Sequence, residues 1–113
     1  MKENDLKQRL FVFAIKVLRM LGKMKISKET EVIKYQLSKS ATSSGANYEE
    51  SQASVSKVEF RSKVSISLKE MRESNYWLRI IKELLPETED IEHLTQESEE
   101  LAKILATIII KSS

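Results

Sequence analysis

The sequence predicts an all-α protein, an antiparallel up-down-up-down four-helix bundle, and three observations carry that prediction. Two glycines and one proline in 113 residues leave little material for the turns of a β fold. Charged residues, 32% of the chain, interleave with Leu, Ile and Val at three- and four-residue steps, the pattern of amphipathic helices. The breaks in this pattern are short, which places consecutive helices side by side in opposite directions. The expected helices span about residues 5–22, 28–53, 57–85 and 89–111, in one domain covering 1–113. A chain of this length buries enough surface for a single core.

In the first helix Leu6, Leu10, Phe13, Val17, Met20 and Met24 form a coiled-coil-like seam. Phe11, Ala14, Ile15, Leu18 and Leu21 make its apolar surface wider than one seam requires, which suggests oligomerisation. Lys2, Arg9, Lys16 and Lys23 recur every seven residues, with Arg19 beside them, as one basic stripe.

Ser27 is a good N-cap for the second helix, with Glu29 and Glu31 in the first turn where the helix dipole favours acids. One face of this helix carries Ile33, Leu37, Ser40, Ser44, Asn47 or Tyr48, and Ser51, mostly small residues that let two axes approach closely. Gly45 costs about 1 kcal/mol against alanine in a helix interior, for which close packing is the expected compensation. Ser56 followed by Glu59 reads as a capping box opening the third helix. Its apolar face is Phe60, Val64, Leu68 (or Ser67), Met71, Leu78, Ile81 and Leu85, and Trp77 reads as a core or interface anchor with a bonded indole N–H, with base stacking as the alternative. Lys57, Arg61, Arg72 and Arg79 project to one side as a second basic stripe. Pro86 ends the third helix, and Thr88 is the expected cap of the fourth, with Glu89 and Asp90 in its first turn. Ile91, Leu94, Ser98, Leu101, Leu105 and Ile108 give the last seam. Ile104, Ile109 and Ile110 widen it, and burial against another subunit is the expected cover.

The net charge is +2, but residues 1–28 carry eight Lys/Arg against two acids, and residues 87–100 carry seven acids and no Lys/Arg. Either these oppositely charged helices attract one another, within a chain or between subunits, or the basic end meets a polyanion. The absence of cysteine excludes disulfides and thiolate metal sites, and no apolar run is long enough to span a bilayer. With no secretory signal after Met1, a cytoplasmic setting is expected.

The inventory gives chemistry little to work with. A di-iron bundle needs paired Glu-x-x-His elements, and His93 is the only histidine. A hydroxyl nucleophile lacks a base, since His93 lies in a charged segment and reads as a surface residue. Glu49, Glu50, Glu70 and Glu73 fall in the central helices, where Lys63, Lys69 and Arg72 offer them structural partners rather than acid–base work. No catalytic residue, metal site or cofactor is expected, and the chain reads as no enzyme.

Three runs, SATSSGANYEE (Ser40 to Glu50), SKVEFRSKVSISLKE (Ser56 to Glu70) and YWLR (Tyr76 to Arg79), together with FAIKVL (Phe13 to Leu18), resemble the 23S rRNA intervening-sequence proteins, in order and spacing over roughly residues 6–85. The resemblance implies small bacterial four-helix bundles that assemble as ring-like homopentamers, many encoded within large-subunit ribosomal RNA genes, with no established enzymatic activity. It also implies kinship to the accessory variability protein of diversity-generating retroelements, which binds reverse transcriptase and nucleic acid through a basic surface more strongly charged than this chain. The expected partners are therefore other copies of the chain, RNA or DNA, or a protein such as a reverse transcriptase, and no membrane. The expected nucleic-acid contacts are Arg9, Lys16, Arg19, Lys23, Arg61, Arg72 and Arg79.

Overall fold

A computed structural model describes residues 3–113, with side chains from Asp5 onward. Its elements are four helices, α1 (Glu3–Lys23), α2 (Lys28–Ser51), α3 (Lys57–Leu84) and α4 (Ile91–Lys111), with no strand among the described residues. Each helix packs on its chain neighbour, α1 closes on α4, and α2 with α3 is the most extensive pairing. The molecule is 44 Å along its long axis, close to the length of α3 alone, about 42 Å at 1.5 Å per residue.

The apolar seams of the sequence become one core. Leu6, Leu10, Phe13, Val17, Leu37, Tyr48, Met71, Leu78, Leu101 and Leu105 are all buried in it. Between α2 and α3 the interface is polar and small. Ser44 Oγ donates to the Ser67 carbonyl at 2.8 Å, and Ser67 Oγ donates back to the Ser44 carbonyl at 2.7 Å. Ser40 and Ser74 hydroxyls meet at 2.8 Å. A serine side chain is one carbon long, so reciprocal bonds to the opposite backbone require the two helices to lie very close. Partner numbers fall on α3 as they rise on α2.

Gly45 sits on the flank of α2 against α1. A Cβ there would meet Leu10 Cβ at 3.5 Å and the Leu10 carbonyl at 3.6 Å. The contact is close, but these are ordinary van der Waals distances, so the packing does not require a glycine.

The helix ends correct several expectations. Ser27 caps α2 through a reciprocal box with Thr30: the Thr30 amide donates to Ser27 Oγ at 3.2 Å, and the Ser27 amide donates to Thr30 Oγ1 at 2.8 Å. Ser56 accepts from the Glu59 amide at 3.1 Å, but the Glu59 carboxylate reaches the Val55 amide instead of closing the box. α2 stops at Ser51, where the Ser51 hydroxyl donates to the Tyr48 carbonyl at 2.6 Å and the amides of Gln52, Ala53 and Ser54 turn to carbonyls three residues back. Thr88 does not cap α4. Its hydroxyl donates to the Leu85 carbonyl at 2.8 Å, and the cap position falls to Asp90, at φ 69°, whose side chain makes no capping bond. Pro86 forces a turn after Leu85, and the left-handed residue at its end is what redirects the chain into α4.

Candidate nucleic-acid interface

The two basic stripes have different surroundings. On α1 the cations face the acidic start of α4. Arg9 grips Glu97 with two bonds, Nε to Oε2 at 3.0 Å and Nη2 to Oε1 at 2.6 Å. Lys16 Nζ lies 3.4 Å from His93 Nε2, and Lys23 Nζ lies 3.7 Å from Glu89. The Glu97 hydrogen bond raises Arg9 above its ordinary pKa against the opposing cost of burial, with the charges of Glu97 and Glu100 assisting. This charge asymmetry is thus met in part within one chain along the α1–α4 seam, through Arg9 and Lys23, and Lys82 adds a bridge to Glu92 at 2.9 Å. Arg19 is exposed and has no ion pair among the described residues. With Lys16, Lys23 and Lys25 it lines a pocket of about 600 Å³ at one end of the bundle, where Glu87, Glu89 and Asp90 balance the charge. Lys2 lies outside the described residues.

On α3 the situation is reversed. Arg72 and Arg79 line an open groove of about 550 Å³ between α3 and α4, together with Asn75, Glu99, Ala102, Lys103 and Ala106. None of these three cations has an ion pair among the described residues. Ala102 and Ala106 are four apart on α4 and leave the groove its width, because neither extends past Cβ. Arg61 shares the helical face of Arg72 and Arg79 but stands about 16 Å further along the axis, outside the groove. Arg79 is held by its neighbours: Nε donates to Asn75 Oδ1 at 2.9 Å, and Asn75 Nδ2 donates across to Ser98 Oγ at 2.9 Å. Its guanidinium carbon is 5.8 Å from the centroid of the Tyr76 ring.

The other candidate groups have structural roles. Glu50 pairs with Lys63 at 3.0 Å. Trp77 is half-buried, and its indole Nε1 donates to Glu73 at 3.2 Å. His93 is exposed. No group of His, Cys, Asp and Glu that could hold a metal ion occurs among the described residues, and none of their helices is long and apolar enough to cross a membrane. Ile104 and Ile109 pack partly on the core, while Ile110 stays 73% exposed.

Lys103, Asn75 and Tyr76 are members of this surface that the sequence reading missed. Lys103 lies in the apolar second half of α4, which carries only one other cation, Lys111 at its end, and its relevance appears only once α4 lies beside Arg72 and Arg79.

A model of the 23S rRNA-intervening sequence protein family matches residues 2–107. The chain belongs to this family. A crystal structure of a protein of unknown function from the S23 ribosomal protein family of Bacteroides thetaiotaomicron is similar in fold and sequence, with a TM-score of 0.79 and 30% identity, over 92% of this chain and 97% of that one. Curated proteins offer no match. For this intervening-sequence family member the family match runs from α1 to residue 107 in α4, so the residues that line the α3–α4 groove lie inside the matched region.

Proposed function

We propose that the chain is a non-enzymatic, homo-oligomeric binding module that holds RNA or DNA along the α3–α4 groove. The observation that carries the reading is the contrast between the stripes: Arg9 and Lys23 already have carboxylate partners, whereas Arg72, Arg79 and Lys103 line one groove without any. Unpaired cations are the ones that displace counterions from a phosphate backbone.

The topology we infer is up-down-up-down, supported by partner numbers that run in opposite senses between α2 and α3 and between α1 and α4. The assembly we infer is a homopentamer, the form implied by the resemblance to the intervening-sequence proteins. It is supported by large apolar side chains left on the outer surface, among them Phe11 at 53% exposure and Leu18 on α1. Repeating the groove around a ring would convert weak single-site binding into avidity. A protein adaptor, for example for a reverse transcriptase, is the second reading. It rests on those same apolar side chains, and binding that survives nuclease treatment favours it.

The test is binding of labelled single-stranded RNA and DNA at two salt concentrations, with the mass measured by light scattering on the same sample. Three phosphate contacts predict about a 20-fold loss of affinity to a single strand between about 50 and 200 mM salt, and engagement of a second subunit squares that factor. Absence of binding at the lower salt by an intact oligomer overturns the nucleic-acid reading.

A further inference from the structure

Beside the cationic groove stands an aromatic side chain that phosphate binding alone does not require. Tyr76 is 49% exposed although it lies within a well-packed helix. Two side chains flank its ring. Trp77 meets it edge to face at 5.2 Å between centroids with 74° between planes, and Trp77 is itself anchored by its bond to Glu73. The Arg79 guanidinium sits over the ring from the groove side, and that guanidinium is fixed by Asn75, which is in turn bonded to Ser98 on α4. A second hollow, of about 400 Å³, opens at the same place, lined by Tyr76, Arg79, Ile80, Glu83 and Leu84. An oriented, half-exposed ring with a guanidinium against it, at the end of a row of unpaired cations, is the arrangement by which single strands are held. Bases stack on the ring while the cations track the backbone. A duplex offers the groove only its phosphates, because its bases are already stacked inside.

We propose that the α3–α4 groove is selective for single-stranded nucleic acid, with a base stacked on the Tyr76–Arg79 pair and phosphates held by Arg72, Arg79 and Lys103. This rests on the groove being the polyanion site and adds to it the state of the polyanion. Asn75 lines the same groove and holds the Arg79 guanidinium through its amide oxygen.

The experiment compares a fluorescein-labelled 12-nucleotide single-stranded RNA with a 12-base-pair RNA duplex at about 50 mM salt, for the wild-type protein and for Tyr76→Leu and Tyr76→Phe. The expected result is tighter binding of the single strand by wild type, a loss of about fivefold or more in Tyr76→Leu for the single strand only, and recovery in Tyr76→Phe, which keeps the ring. Equal binding of strand and duplex by the wild-type protein overturns the inference without reference to any variant, and leaves the groove as a phosphate site. An unchanged single-strand affinity in Tyr76→Leu overturns it as well. Failure of the wild-type protein to bind either probe removes the groove reading on which the inference stands.

Discussion

Replacing Ser44 by Ala and by Leu separates two reasons for the serine seam between α2 and α3. If its role is to let the helices touch, alanine is cheap and leucine costly. If its role is the hydrogen bonds, alanine is already costly. The Ser44 side chain is fully buried and donates to the Ser67 carbonyl at 2.8 Å. That carbonyl is interior to α3 and keeps its helical N–H partner, so Ser44→Ala strands no buried group. The loss is one net hydrogen bond, about 1 kcal/mol, offset by the better helix propensity of alanine, which leaves about 0.5 kcal/mol. Ser44→Leu loses the same bond and inserts three carbons between backbones close enough for serines to reach across. Overpacking of this kind brings the total to about 2–4 kcal/mol. At about 2.1 cal/mol/K per residue of unfolding entropy, 1 kcal/mol moves the midpoint of this chain by about 4 °C. Thermal unfolding followed by circular dichroism at fixed protein concentration should therefore fall by about 2 °C for alanine and about 8–17 °C for leucine. Equal losses for both variants, or a leucine variant within about 2 °C of wild type, would refute the close-approach argument.

Other predictions follow from single contacts. Gly45→Ala should raise stability by up to about 1 kcal/mol, because the added methyl meets Leu10 at contact distance and the helix loses a weak former; urea unfolding measures it. Asp90→Gly should be tolerated or slightly stabilising, whereas Asp90→Val should cost about 1–2 kcal/mol, since a β-branched residue is strained at φ 69°; the same unfolding assay decides. Arg9→Gln should cost about 1 kcal/mol, because a two-bond, half-buried pair to Glu97 is lost. Its raised pKa means that Arg9 itself stays charged until the pH rises through its folded-state value in the alkaline range, so the Arg9 protonation state adds no pH dependence near neutrality.

The helices were legible because each signal in them was local. Ser27, Ser56 and Pro86 mark boundaries by their own chemistry, and the Leu10–Phe13–Val17 spacing needs no partner to be read. The α4 cap was not, because Thr88 and Asp90 are both capable caps only two residues apart, and the choice depended on how the turn after Pro86 closed. The basic stripes were found, but their difference was not. Arg9, Lys16 and Lys23 look like a polyanion surface until Glu97, His93 and Glu89 are known to lie beside them, and that requires the position of α4. Lys103 was missed for the same reason: a groove made by two helices has no signature in either one. Gly45 was read as a packing requirement, yet the distance to Leu10 leaves room for a methyl group.

Two charge-matched variants test the account most directly. One replaces Arg72, Arg79 and Lys103 by Gln; the other replaces Arg9, Lys16 and Lys23 by Gln. Both remove three positive charges, so their general attraction to a polyanion is lowered equally, and only location differs. Affinity for single-stranded RNA and the unfolding midpoint are measured for each. The first variant should lose single-strand affinity by an order of magnitude or more with its midpoint within about 2 °C of wild type. The second should lose about 4 °C or more of stability and much less affinity. Equal affinity losses in the two variants, or a larger loss in the α1 variant, would contradict the claim that the unpaired cations of the α3–α4 groove form the binding site.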